Sequence, residues 1–198
     1  MSEPRLSLAP APPHPALVVG GILLLLAVVA AAYAVGTGGR VASPERWWTP
    51  EPIDRAPAPL FTLPSLRGVD RIALQSLRGQ VVVLNFFASW CVPCALEAND
   101  LARAWRASRD RGVTFVGIAV QDEAPAARAF LVRHGVPYPA VYDRDGSVML
   151  AYGVNGIPTT VFIDPVGRIA GRHAGIFVGD AGVARLRARI DAARTPGR

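Results

Sequence analysis

The apolar residues of the chain fall into runs with two different periods. Residues 80–87, QVVVLNFF, are almost continuously β-branched or aromatic, the pattern of a central strand covered on both faces. Residues 113–120, VTFVGIAV, repeat it. Between them residues 92–107 predict a helix, and residues 124–133 predict another. A short strand is expected at 140–142 and a short helix at 148–152. Residues 160–163 and 168–174 read as a hairpin across DPVG, where Asp, Pro and Gly favour a turn. Val183, Leu186 and Ile190 recur at helical spacing and give a last helix one apolar face. Strands alternating with helices before a hairpin predict an α/β fold with a mixed central sheet and helices on both faces.

The N-terminal part has another character. Residues 16–36, ALVVGGILLLLAVVAAAYAVG, carry no charge, and 21 residues at about 1.5 Å each are long enough for the roughly 30 Å core of a bilayer. The simplest expectation is an uncleaved transmembrane helix after a short tail at 1–15. Its rival is a signal peptide cut after the small residues around Ala32 and Ala34. Against cleavage stand the length of the run and the prolines at 10, 12, 13 and 15. Residues 37–57 are rich in proline, which restrains φ and removes amide donors, so they read as a linker. Trp47 and Trp48 within it suit either lipid headgroups or the edge of the domain. The folded domain is expected over 58–192 and a flexible tail over 193–198. Such a helix implies a single-pass protein of the cell membrane; the arginines on either side are too few to set its orientation, and the short N-terminal tail, with the chemistry below, argues for a domain on the extracytoplasmic face.

Charge changes this picture little. The formal net charge is +6, carried by 21 arginines and no lysine. The arginines are scattered, as at 103, 106 and 109 along one predicted helix, and no dense basic block interleaves with aromatics. Nucleic-acid binding is therefore not expected.

The candidate chemistry lies in WCVPC, residues 90–94, which holds the only two cysteines. A disulfide across two intervening residues closes a tiny loop and stabilises a fold little. As a zinc site the pair lacks two ligands, and the histidines are His14, His134 and His173, so no metal or other cofactor is expected. The remaining reading is redox. A strand ending near Trp90 and a helix beginning near Cys91 place the first thiol at a helix N-terminus, where unpaired amides stabilise a thiolate. Cys94, one turn inside, is placed to attack a mixed disulfide on Cys91, and Pro93 suits a first turn.

Two further places belong to the same chemistry. Cys94, Glu97, Ala98, Leu101 and Trp105 share one helical stripe, so Glu97 flanks an apolar face below the cysteines. It reads either as an edge glutamate reaching water or as a partly buried acid that holds a proton for Cys94. Asn85 interrupts an apolar strand and reads as a structural hydrogen bonder. In GVNGIPTT, residues 153–160, a cis Ile157–Pro158 bond presents a backbone edge to an incoming peptide, and a trans proline turn is the alternative.

At these residues the chain resembles the thioredoxin superfamily, and within it the TlpA, ResA and CcmG/DsbE-like thiol-disulfide oxidoreductases. The matching stretches are LRGQVVVLNFFASWCVPCALE, 77–97, and YGVNGIPTTVFIDPVGRIAGRHAG, 152–175. Pro158 follows Cys94 by 64 residues, which leaves room for an inserted helix and strand, as in the TlpA and ResA branch. The resemblance implies a thioredoxin-like redoxin domain with Cys91 as nucleophile, Cys94 as resolving thiol and Glu97 as the acid beside them. It implies a cis Pro158, and a substrate-binding surface from Trp90, Pro93, Ile157, Pro158 and Thr159. Asn85 stands where ordinary thioredoxins carry a buried aspartate. The implied task is reduction of a protein disulfide, the CxxCH pair of apocytochrome c in particular, by a monomer recharged by a CcdA- or DsbD-like membrane thiol donor. Thr159 departs from the PET pattern frequent in CcmG-like members, which leaves general TlpA-like disulfide reduction open. A DsbA-like oxidase is a further alternative, because a CxxC pair runs in either direction according to its potential. A peroxiredoxin shares the opening strand but has its cysteine in a TxxC loop, where this chain has Ser89 and Trp90. A noncatalytic tethered interaction domain is the remaining rival, and it predicts that both cysteines are dispensable.

Overall fold

The computed structural model describes residues 15–36 and 55–194. Residues 1–14, 37–54 and 195–198, with most of the expected tails and linker and with Trp47 and Trp48, lie outside the described residues. The chain divides into two compact units, Met1–Thr49 and Pro50–Arg198. The first unit contains a helix, α1 (Pro15–Gly36). The expected transmembrane helix is corrected here, because among the described residues no helix is long and apolar enough to cross a membrane. The single-pass, extracytoplasmic placement rested on that anchor and is withdrawn with it.

The second unit is built on β3 (Val81–Phe87), a strand buried along its whole length. It pairs in parallel with β4 (Val113–Val120), which pairs in parallel with β5 (Ala140–Asp143). On its other side β3 pairs antiparallel with β6 (Thr159–Ile163), and β6 with β7 (Ile169–Ala174), giving the order β5-β4-β3-β6-β7. This is the mixed sheet of a thioredoxin-like fold. The central strands need continuous apolar runs because both their faces are covered. One face packs on α2 (Val92–Ser108), α3 (Ala124–Arg133) and α5 (Gly179–Ala193), through Leu101, Phe130, Phe162, Phe177 and Leu186. The other packs on a 3₁₀ turn at Leu74–Leu77, on α4 (Ser147–Ala151) and on the incoming chain, through Phe61, Leu74, Phe86, Val148 and Tyr152.

The expected segment at 124–142 forms α3 and the edge strand β5. A short hairpin, β1 (Thr62–Pro64) and β2 (Arg71–Ala73), was not anticipated. Three-residue strands, one of them ending in proline, are too short to show a period of two. The hairpin is tied to the sheet by the Leu66 amide, which donates to Ala140 O (2.8 Å). The chain joins the sheet before it: Pro57 bridges Arg168, and the Ile169 amide donates to Ala56 O (2.9 Å).

The start of α5 lies against the backbone of Phe177. A Cβ added to Gly182 would stand 2.7 Å from the Phe177 carbonyl carbon, so only glycine permits this approach. Replacing Gly182 by Ala is expected to lower unfolding stability by about 1–3 kcal/mol, the usual cost of overpacking. Urea denaturation of the variant checks this; an unchanged midpoint would show that the helix simply moves aside.

Candidate active site

β3 ends at Phe87, and the chain turns through Ala88, Ser89 and Trp90 into α2. This turn is held from β4's end. Asp122 accepts from the Ser89 amide (2.5 Å) and the Ser89 hydroxyl (2.7 Å), and the Trp90 indole donates to Gln121 O (2.8 Å). Gln121 adopts φ 50°, a rare region for a residue with a side chain, and Tyr142 donates to Asp122 O (2.8 Å). The approach to the cysteines is thus clamped by residues that no motif marks.

Cys91 is the N-cap of α2, with Pro93 in the first turn, and its Sγ accepts from the Cys94 amide (3.2 Å). The two sulfurs are bonded, with the Cα atoms 5.3 Å apart. Both cysteines are buried, whereas Trp90, Val92, Pro93 and Leu96 are exposed around them. A buried sulfur pair inside an exposed apolar collar suits a polypeptide that covers it. At this helix end the Cys94 amide and the dipole also favour negative charge on Cys91 once the pair is reduced.

Glu97, one turn beyond Cys94, has no exposed surface. Its Oε1 accepts from Asn85 Nδ2 (2.9 Å) and its Oε2 from the Phe177 amide (3.0 Å). Asn85 Nδ2 also lies 3.4 Å from the Thr160 hydroxyl. Burial pushes the Glu97 carboxyl from its ordinary 4.5 up to about 7, against the two hydrogen bonds, which favour the carboxylate. The same charge, after burial itself, helps hold the Tyr138 hydroxyl above its usual range.

The Ile157–Pro158 bond is cis. Register places the proline beside the end of β3, because Thr159 pairs with Phe86 and Asn85 with Thr160. Ile157 is half-buried, Pro158 is buried, and the Thr159 hydroxyl donates to Gly156 O (2.7 Å). The Gly175 amide donates to Pro158 O (2.9 Å), so residues 175–177 are stitched to the proline at one end and to Glu97 at the other. Asn85, Cys91, Cys94, Glu97 and Pro158 therefore belong to one neighbourhood at the end of β3. Thr159 turns its hydroxyl back into its own loop. Among the described residues no group of three or more His, Cys, Asp and Glu gathers as a metal site.

Comparison with known proteins agrees with this geometry. The model of the AhpC/TSA family matches residues 55–172. The chain belongs to the AhpC/TSA family. Within it the relatives are thioredoxin-fold redoxins of the ResA and DsbE type. The thiol-disulfide oxidoreductase ResA of Bacillus subtilis is 38% identical over 112 residues, 57% of this chain and 62% of that protein. The chain thus spans just under two thirds of ResA. The thiol:disulfide interchange protein DsbE of Allochromatium vinosum is 37% identical over 128 residues, 64% of this chain and 69% of its own length. Among solved structures, a thiol:disulfide interchange protein of the thioredoxin family from Chlorobium tepidum superposes with a TM-score of 0.63 at 29% identity, covering 72% of this chain and 99% of that one. The bonded cysteine pair stands on a fold similar to that of these thiol-disulfide oxidoreductases.

Sequence reasoning placed Glu97 on the right stripe but missed Phe177, Thr160 and the Asp122 clamp. The bond from Phe177 to Glu97 spans 80 residues and uses a backbone amide, which leaves no trace in residue type.

The raised carboxyl has a consequence for stability. Since the folded value exceeds the ordinary one, the fold favours protonated Glu97. The contribution is fully present below about pH 4.5 and is lost as pH rises through about 7, by about 3 kcal/mol in all. Glu97→Gln is expected to remove this part of the pH dependence. Denaturant unfolding of the oxidised protein and the variant at pH 4.5, 6 and 8 tests it; parallel curves for the two would refute the assignment.

Proposed function

We propose that the chain is a disulfide reductase that works through Cys91 and Cys94. The observation that carries this reading is the bonded pair at the N-terminus of α2, with a proton-holding Glu97 one turn behind it. In the reduced state the Cys91 thiolate attacks one sulfur of a substrate disulfide. That sulfur joins Cys91 in a mixed disulfide, and the other leaves as a thiolate that takes a proton. Cys94 then loses its proton and attacks Cys91 Sγ, which breaks the mixed disulfide and frees the second substrate thiolate. Two electrons have passed from the cysteine pair to the substrate, and Cys91–Cys94 is left oxidised.

Glu97 takes the proton from Cys94 in this scheme. A carboxyl with a pKa of about 7 exchanges protons on either side of neutrality, which an ordinary glutamate does not. The substrate covers the exposed collar of Trp90, Val92, Pro93 and Leu96, and the cis-Pro158 loop, with Ile157 and Thr159, offers the backbone against which it lies. The substrate class is a protein disulfide. The finer reading is the CxxCH disulfide of apocytochrome c, with a CcdA- or DsbD-like thiol donor returning the electrons to a monomeric enzyme. The resemblance to the ResA and DsbE branch supports it.

Cys94→Ser is expected to trap an oxidised CxxCH peptide on Cys91, as a species of summed mass that dithiothreitol dissolves, while Cys91→Ser traps none. The equilibrium potential of the full chain is expected nearer the roughly −270 mV of thioredoxin than the roughly −120 mV of a strong oxidant. A value at the oxidising end would replace the reductase by a disulfide donor.

A further inference from the structure

β7 is the last strand of the five-stranded sheet, and its two ends meet different surroundings. Its start is covered by the incoming chain, through Ile169 to Ala56 and through the Ala58 amide to Gly167 O (2.9 Å). Its last residues line an open groove of about 450 Å³. Ile157, Pro158 and Thr159 form one wall of it, and Arg172, Ala174 and Gly175 the other. The bond from Gly175 to Pro158 closes the walls together at the cis-proline.

Among the described residues, Arg172 is the one charged residue that lines this groove. It pairs with Val161, on the sheet face of Thr159 and opposite to the face of Thr160 and Glu97. Its carbonyl accepts from Arg189 Nη1 (3.2 Å), which fixes the strand beneath the side chain. Its Nε is buried and has no hydrogen-bond partner among the described residues. Arg172 brings positive charge to the groove, and the planar fork of arginine matches a carboxylate.

We propose that this groove is a specificity subsite for an acidic side chain, Asp or Glu, borne by an extended substrate segment that also carries the disulfide attacked by Cys91. The proposal rests on the reductase reading and names the substrate feature that reading leaves open. Arg172 precedes Gly175 by three residues, about 10 Å of strand, and Gly175 is bonded to the cis-proline. An extended segment passing the proline therefore presents to Arg172 a residue about three positions from the one that lies against the proline.

The experiment uses the reduced full chain and oxidised two-cysteine peptides that differ at one position, two to four residues from the attacked cysteine, where they carry Asp, Asn or Lys. Single-turnover rate constants at substrate concentrations below saturation are compared as ratios within each protein variant, so that partial loss of folded protein cancels. The expected result is an Asp-over-Asn preference of about ten-fold at one of these positions, shrinking as salt is raised. Arg172→Gln is expected to bring the ratio to about one, and Arg172→Glu to turn it in favour of Lys. Equal rates for Asp and Asn at every position, or a preference that survives Arg172→Gln, would overturn the proposal and leave the reductase reading standing. Failure to reduce any peptide would remove both.

Discussion

One buried carboxyl sets the terms for the rest of the site. Glu97 is held between the Asn85 amide of β3 and the Phe177 backbone amide ahead of α5, inside a core otherwise built from Leu, Val and Phe. Desolvation asks for the neutral acid, while two N–H donors ask for the carboxylate. Neither wins outright, and the group rests near neutrality at about 7. A core position that is costly for folding is thereby useful for chemistry, because a proton is held and released there at little cost in free energy. The same two bonds tie α2 to the sheet and to the turn before α5, so the geometry that tunes the proton also locates the helix that carries the cysteines.

The cysteines are located from the other side by the Asp122 clamp. Ser89 donates to it twice and Trp90 bonds the preceding carbonyl, so the turn from β3 into α2 is held by the end of β4. Gln121 tolerates a positive φ there because the bonds around it over-determine the loop. With the helix start fixed by the clamp and its first turns fixed by Glu97, Cys91 has little freedom to wander from the amide of Cys94. In the proposed reaction, a sulfur so confined meets a substrate disulfide without a prior entropic cost of its own ordering.

How much of this was legible beforehand follows from the range of each interaction. β4 and α3 occupy the residues expected of them, and β3 and α2 differ by one residue at an end, because their signals are local runs and periods. The β1–β2 hairpin escaped notice because its strands are too short to have a period. Helical spacing showed that Glu97 shares a stripe with Cys94, yet its complete burial depends on Phe177, which only the folded chain brings near. Asp122 and Gln121 lie outside any motif, and their bonds to Ser89 and Trp90 cross more than 30 residues. The membrane anchor was read from one apolar run; no helix among the described residues meets the requirement it implied.

The sheet itself separates the two tasks of the proposed reductase. Neighbouring residues of a strand point to opposite faces, so Thr160 stands with Asn85 and the proton-holding Glu97, while Thr159 stands with Arg172 on the groove side. Pro158 precedes both, at the point where the strand begins, and residues 175–177 run from its carbonyl to the Glu97 carboxyl. A substitution on one face of β6 or β7 therefore reaches the redox pair through packing and proton affinity, and one on the other face reaches it only through where the substrate lies. Potential and selectivity are carried by alternate residues of the same strands, so each can change while the other is kept.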